Sequence, residues 1–251
     1  MKTISWEIRL GISLVILSSL IYTLKYFILG DPVNTYMYIF NAAGFLPLNV
    51  LFVTIVINKL LSIRAQRERL EKVNMVIGMF YSEIGTEMLA CLSHNDPGVS
   101  KIKDHLLVSD RWSEKDFNAV KEIISAHHYQ ADDSDIDFAM LCNWLESKRD
   151  FILRLLENPA LLEHGPFTEL MRALSHLMDE LSRRSNFTTL PGTDISHLIM
   201  DLNRVYRHLA IQWLGYMQYL KKNYPYLFSF AMRVNPFDEH ATPVVGERIE
   251  A

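Results

Sequence analysis

Residues 10–29 read LGISLVILSSLIYTLKYFIL, and residues 36–60 read YMYIFNAAGFLPLNVLFVTIVINKL. Both runs reach the roughly 20 residues that a helix needs to cross the hydrocarbon core of a membrane. Lys25 is the one charged residue of the first run, and it lies near the end, where its long side chain can reach the interface. The two runs therefore predict two transmembrane helices.

The connection between the two runs is short. Gly30, Asp31 and Pro32 favour a turn, because glycine and proline both interrupt helices. The runs therefore predict a hairpin within residues 1–61. A cleaved signal peptide is the alternative, but the apolar stretch is too long for one and no small-residue cleavage site follows it.

Basic residues flank the hairpin, whereas residues 30–58 contain no Lys or Arg. Lys2 and Arg9 precede the first run. A basic stretch begins at the end of the second run and continues beyond it; it contains Lys59, Arg64, Arg67, Arg69 and Lys72. Because positive charge next to a span stays in the cytosol, both termini are expected there. Arg64, Arg67, Arg69 and Lys72 also suit contact with anionic lipid headgroups.

The second run is interrupted by Asn41, Gly44, Pro47 and Asn49. Amides in hydrocarbon are costly unless they are hydrogen-bonded, glycine permits close helix contact, and proline bends a helix. These residues predict an intramembrane packing seam, either between the two spans or between copies of the chain. A pore is the alternative, although the intramembrane acids or bases that usually mark a conduction path are missing.

The remainder of the chain shows the periodic patterns of helices that bury one face. The second run continues without a breaker other than isolated glycines, and the apolar face of this extension contains Leu70, Val73, Ile77, Phe80, Ile84, Met88 and Leu92. The turn-forming residues 95–98 end this helix. Further helices are predicted over residues 113–126, 136–157, 165–184, 193–224 and 226–234. Ser113 and Asp116 resemble a capping box at the start of the first of these helices.

The longest of these later helices is capped by Thr193 and carries a near-heptad apolar seam, which is typical of a helix buried in a bundle. The seam contains Ile195, Leu198, Leu202, Val205, Leu209, Trp213, Tyr216 and Leu220. The sequence therefore predicts an all-α protein. A two-helix transmembrane hairpin is followed by a cytosolic multi-helix bundle, residues 62–237, and by a disordered tail, residues 238–251.

Two histidines have an acid one helical turn further on: His176 precedes Glu180, and His197 precedes Asp201. Helical bundles can bind metals through His and acidic side chains from several helices. However, neither Glu-x-x-His nor His-x-x-x-His occurs in the chain. The two pairs are therefore interpreted as surface ion pairs within each helix, with a metal site as the alternative.

Other signals of chemistry are absent from the sequence. Cys91 and Cys142 lack metal or redox spacing, and the acidic residues 132–137 lack the glycine and the final carboxylate of a calcium loop. With 25 basic and 29 acidic side chains, the chain does not resemble a nucleic-acid-binding protein. No phosphate-binding, dinucleotide, kinase or hydrolase motif is present, so neither a cofactor nor an enzymatic activity is predicted.

Three stretches carry a family resemblance: residues 71–89, EKVNMVIGMFYSEIGTEML; residues 151–170, FILRLLENPALLEHGPFTEL; and residues 213–237, WLGYMQYLKKNYPYLFSFAMRVNPF. Together they resemble an uncharacterised family of bacterial membrane proteins with two spans and a helical cytosolic part. The resemblance covers nearly the whole chain. It implies a location in the bacterial inner membrane and supplies no activity or site residues.

The hypothesis favoured by these patterns is a membrane-anchored helical scaffold or regulator that binds another protein or a second copy of itself. The aromatic segment Tyr224–Phe237 is the candidate contact surface, with packing onto the bundle's own core as the alternative. Two further hypotheses are an oligomeric channel or transporter lined by Asn41, Asn49 and Asn58, and a metal-dependent enzyme within the bundle.

Overall fold

The computed structural model describes residues 6–131, 136–162 and 164–245. Within these residues the chain forms eleven α-helices and no strand, which confirms the all-α prediction for the described part. The chain divides into two compact units, Met1–Gln66 and Arg67–Ala251. The acidic residues Asp132, Asp133 and Asp135, and residues 246–251 of the predicted tail, lie outside the described residues.

The first unit contains helix α1, Trp6–Leu29, and the beginning of helix α2, Pro32–Phe80. Gly30 connects them with a φ of 59°, a left-handed conformation that favours glycine. Asp31 accepts a hydrogen bond from the Asn34 N–H at 3.1 Å and so caps α2. The predicted turn is thus confirmed, and α2 begins at Pro32, a position that suits the first turn of a helix.

Two helices among the described residues are long and apolar enough to cross a membrane. One is Arg9–Ile28, with a mean hydropathy of 1.7, and the other lies within Pro32–His94, with a mean hydropathy of 2.0. None of the most apolar stretch of either helix is buried within the protein. Their apolar side chains therefore face outward.

The second unit begins within α2, which reaches Phe80 and is followed by a π-helical turn, Tyr81–Gly85, and by α3, Thr86–His94. The apolar face predicted for this stretch is buried from Val73 to Leu92, whereas Leu70 is 46% exposed. The prediction of one helical stretch ending before Asn95 is confirmed. The π-helical turn inside it was not predicted.

The helices after α3 cover most of the second unit. Ser113 and Asp116 form the predicted capping box of the first long one. A 3₁₀ turn, Asp104–Leu106, separates the first two helices of this series. The series consists of α4 (Ser100–Lys103), α5 (Glu114–Ala126), α6 (Phe138–Ser147), α7 (Arg149–Leu156), α8 (Pro159–Leu162), α9 (Gly165–Ser182), α10 (Gly192–Asn223) and α11 (Pro225–Arg233).

Two details of this series differ from the sequence prediction. The single helix predicted over residues 136–157 is broken at Lys148, whose N–H turns back to Leu145 O at 3.0 Å. The break lets α6 and α7 pack separately against α9. Helix α10 begins at Gly192 with Pro191 as its N-cap residue, so that Thr193 lies in the first turn and does not cap the helix.

The centre of the second unit is the packing of α9 against α10. Most of the predicted seam of α10 is buried, from Leu198 to Leu220, which confirms the prediction. Helix α9 contributes buried side chains at the helical spacing from Phe167 to Leu181. Ring contacts extend this core: Phe80 lies edge-on to Phe167 with centroids 5.3 Å apart.

Gly85 ends the π-helical turn beneath two aromatic rings. A Cβ atom at this position would lie 2.6 Å from Tyr81 Cδ1 and 2.8 Å from Phe80 Cε1. Tyr81 cannot swing away easily, because its hydroxyl donates to Leu209 O at 2.8 Å and its ring stacks on Tyr216. The close approach of these rings therefore requires glycine.

We expect Gly85→Ala to lower the free energy of unfolding by about 1–3 kcal/mol, because the added methyl group overpacks the rings. Gly215→Ala is the matched control, since Gly215 lies within α10 and nothing is within 4 Å of its added Cβ. The control should gain about 0.5–1 kcal/mol from the better helix propensity of alanine. Denaturation of the purified full-length variants, followed by circular dichroism, measures both. Equal stability of the two variants would contradict the packing described.

Candidate functional site

The four histidine and acidic residues identified in the sequence meet on one side of the α9–α10 pair. His176 and Glu180 are one turn apart on α9, and His197 and Asp201 are one turn apart on α10. Glu180 follows His176 on α9, whereas its partner His197 precedes Asp201 on α10. The two helices are therefore antiparallel. His176 therefore faces Asp201, and Glu180 faces His197.

Asp201 lies at the centre of this group. Its Oδ2 atom is 3.2 Å from His176 Nε2 and 3.5 Å from His197 Nε2. Glu180 is more distant, with Oε2 3.9 Å from His197 Nε2. Ligand atoms of His176, His197 and Asp201 all lie within 4.8 Å of one another. The arrangement places two imidazoles around one carboxylate oxygen.

The Asp201 side chain is almost fully buried, with 2% of the residue exposed. Oδ1 accepts a hydrogen bond from Arg204 Nη1 at 2.9 Å. Oδ2 is buried and accepts no hydrogen bond of good geometry, although both imidazole nitrogens are near it. The predicted pairing of His197 with Asp201 within α10 is present, but Asp201 is buried and not at the surface. His176 pairs across the helix interface with Asp201 rather than with Glu180 on its own helix.

Arg184 lies at one end of the group and forms hydrogen bonds with two carboxylates. Its Nη2 and Nε atoms donate to the two carboxylate oxygens of Asp194, each at 2.7 Å, and its Nη1 atom donates to Glu180 Oε2 at 2.8 Å. The hydrogen bonds from Arg184 lower the pKa of Glu180 and the pKa of Asp194. Both carboxylates are therefore kept ionised, and the last turn of α9 is tied to the first turn of α10.

A second buried polar group was not found from the sequence. Asp96 Oδ2 lies 3.2 Å from His127 Nε2, and Asp96 Oδ1 accepts from the Gly98 N–H at 2.8 Å. The Tyr206 hydroxyl is buried beside this carboxylate without a hydrogen bond of good geometry. Burial, followed by the negative charge of Asp96, raises the pKa of Tyr206 well above its ordinary value.

The local sequence gives little signal of this second group. Asp96 was recognised only as part of the turn after α3, and His127 follows α5. The two residues are 31 positions apart and meet only through tertiary packing. The contact joins the end of α3 to the end of α5.

The residues predicted to form an intramembrane seam do not line the groove between α1 and α2. Asn41, Pro47 and Asn49 are exposed, and nothing lies within 4 Å of a Cβ added at Gly44. The groove is instead lined by Ser18, Ser19, Tyr22, Ile39, Ala42, Ala43 and Leu46. The predicted seam residues are thus not among those that line this groove, and the packing seam, between the spans or between copies of the chain, stays a prediction.

The predicted lipid-contact residues Arg64, Arg67, Arg69 and Lys72 all lie on α2 and are exposed. Arg67 Nε forms an ion pair with Glu71 Oε1 at 3.2 Å, one turn along the helix. Such exposed pairs contribute little to stability. The basic side chains thus remain accessible on the helix surface.

We expect Arg184→Met to lower the melting temperature by a few degrees at neutral pH. The folded-state pKa values of Glu180 and Asp194 lie below their unfolded values, so this stabilisation is present above about pH 4 and is lost as the pH falls through the folded-state values. Arg172→Met, which removes an exposed pair with Glu169, is the control and should change little. Thermal scans at several pH values measure the effect. If Arg184→Met lowered the melting temperature by the same amount in acid, the stabilisation could not come from the ionised carboxylates of Glu180 and Asp194.

Comparisons with known proteins place most of the chain in one family. Residues 69–233 match the family described as "Uncharacterized protein MJ1433, C-terminal helical domain", and residues 2–61 match "MJ1433, N-terminal helical domain". The protein of that name from the archaeon Methanocaldococcus jannaschii is 42% identical over 229 residues, which cover 91% of this chain and 92% of that protein.

No solved structure matches the chain. The resemblance noted in the sequence is confirmed as membership of an uncharacterised helical family with an archaeal member, while its bacterial and membrane aspects stay predictions. The chain belongs to the MJ1433 family of helical proteins.

Proposed function

We propose that this protein is a membrane-anchored helical scaffold or regulator. Residues 10–29 of α1 and 36–60 of α2 cross the cytoplasmic membrane, and both termini lie in the cytosol. The helical domain that follows acts by binding another protein or a second copy of the chain.

The observation that carries the membrane part is that no residue in the most apolar stretch of α1 or of α2 is buried. Phe27 is 77% exposed and Phe40 is 82% exposed. Apolar surface left in water costs about 25 cal/mol per Å². A soluble protein buries its most apolar helix, whereas none of the most apolar stretch of either helix is buried here. A lipid environment accounts for this surface.

The orientation is supported by the distribution of basic residues. Residues 30–58 contain no Lys or Arg, whereas Lys59 lies at the end of the second span and Arg64, Arg67, Arg69 and Lys72 follow it. Lys25 lies at the hairpin end of α1, where its ammonium group is 4.1 Å from the centre of the Tyr38 ring. The larger cluster of positive charge follows the second span, which favours a cytosolic C-terminal domain.

The protein-binding part is supported by the surface of α11. Tyr226 is 71% exposed, Phe230 is 49% exposed and Leu227 is 39% exposed, while Phe228 packs into the core. Arg233 lies over the Phe230 ring at 5.7 Å. Exposed aromatic side chains with a nearby arginine are typical of protein interfaces. We call the set Tyr226, Leu227 and Phe230 the α11 surface.

We expect the topology to show in thiol labelling of cells. In a background with Cys91→Ser and Cys142→Ser, a single Asn34→Cys should react with a membrane-impermeant maleimide in intact cells. A single Ser100→Cys should react only after permeabilisation. Both positions are exposed in the structure, so differences in accessibility report the side of the membrane. The opposite pattern would overturn the orientation, and recovery of the chain in the soluble fraction without detergent would overturn the anchor.

We expect the α11 surface to contact its partner directly. A photoreactive phenylalanine derivative in place of Tyr226 should give one discrete cross-linked adduct after illumination of membranes. The same derivative in place of Met140, which is 66% exposed on α6, is the control and should give none. An adduct of twice the chain mass indicates a second copy of the chain. The absence of an adduct at Tyr226, or the same adducts at both positions, would contradict the proposal.

A further inference from the structure

We propose that His176, His197 and Asp201 bind a divalent transition-metal ion of the Zn²⁺ or Fe²⁺ class. The inference goes beyond the proposed function and does not depend on it. It rests on the convergence of two imidazole nitrogens on a carboxylate oxygen that is buried and without a hydrogen bond.

The chemistry of the donor set selects the class of ion. Imidazole nitrogen is a preferred ligand of Zn²⁺, Fe²⁺ and Cu²⁺, and two histidines with one carboxylate form a recurring site for such ions. Mg²⁺ and Ca²⁺ prefer oxygen ligands alone. The site offers two nitrogen donors and one oxygen donor, so it favours a transition-metal ion over Mg²⁺ or Ca²⁺.

The distances from Asp201 Oδ2 to the two imidazole nitrogens fit a shared ion. Two ligand atoms bound at about 2.0–2.1 Å to one tetrahedral ion lie about 3.3–3.4 Å apart. Asp201 Oδ2 lies 3.2 Å from His176 Nε2 and 3.5 Å from His197 Nε2. If the imidazoles were ordinary donors to Asp201, Oδ2 would accept at least one hydrogen bond of good geometry, and it accepts none.

The surroundings of Asp201 leave Oδ2 free for an ion. Arg204 Nη1 holds the other oxygen, Oδ1, at 2.9 Å, which fixes the orientation of the carboxylate. The imidazoles are half-exposed, with 47% of the His176 side chain and 45% of the His197 side chain accessible, so an ion can enter from solvent.

Glu180 is not counted as a ligand. Its Oε2 atom is 3.9 Å from His197 Nε2 and accepts a hydrogen bond from Arg184. Three protein ligands leave at least one coordination position for water or another small ligand, as in sites that keep an open position.

The test uses the purified full-length protein without a polyhistidine tag, stripped with a chelator and titrated with ZnCl₂ or CoCl₂. We expect one equivalent of either ion to bind, and Co²⁺ to show the visible absorption of a site with nitrogen ligands. His176→Gln and His197→Gln should each weaken binding by about tenfold or more. Both side chains are half-exposed, so these variants should keep the circular dichroism spectrum of the unchanged protein.

Two further variants test whether binding depends on the cluster itself. His208→Gln changes another histidine of α10 that is not part of the cluster, and it should bind as the unchanged protein does. Asp201→Asn keeps the shape of the buried side chain and should also weaken binding. Excess Mg²⁺ should not displace Zn²⁺. The proposal is overturned if no stoichiometric Zn²⁺ or Co²⁺ binds, if His208→Gln weakens binding as much as His176→Gln does, or if Mg²⁺ competes.

Discussion

The packing of α9 against α10 is the interaction on which the rest of the helical domain depends. Phe167, Leu170 and Leu174 on α9 and Leu202 and Leu209 on α10 are fully buried. Burial of each such side chain contributes about 1.5–3 kcal/mol. Helices α3, α5 and α11 pack on α10, and helices α6, α7 and α8 pack on α9. Each of them therefore buries apolar surface against this pair.

The antiparallel pairing of α9 and α10 also determines which polar side chains meet at the edge of their interface. Because the helices are antiparallel, residues one turn apart on α9 face residues one turn apart on α10, and this brings two histidines and two acids together. Asp201 is the destabilising member, since a carboxylate that is buried without full hydrogen bonding costs free energy. Arg204 donates a hydrogen bond to one oxygen only. The histidines around the other oxygen come from two helices, and a site built on helices is placed more precisely than a site built on loops.

The sequence predicted those features that depend on local patterns. The seam of α10, the capping box at Ser113 and the turn at Gly30 follow from spacing and backbone preference, and the structure confirms them. The break at Lys148 and the Asp96–His127 contact depend on what packs from elsewhere in the chain, so no local pattern reports them. For the same reason the candidate metal ligands were recognised as two separate pairs. Their convergence requires knowledge that α9 and α10 are antiparallel neighbours in this register.

Helix α2 carries two surfaces of opposite character. From Val73 onward one stripe, Val73, Val76, Ile77 and Phe80, is buried while Met75 and Met79 are exposed, as expected of a helix that contacts protein on one side. Between residues 48 and 53 the exposed side chains Leu48, Val50, Leu51, Phe52 and Val53 instead point in all directions around the helix, because neighbouring residues are about 100° apart. A protein partner covers one stripe of a helix and would leave the other sides in water. Lipid surrounds a helix on every side, and for that reason this stretch of α2 supports the proposed membrane span rather than contact with another subunit.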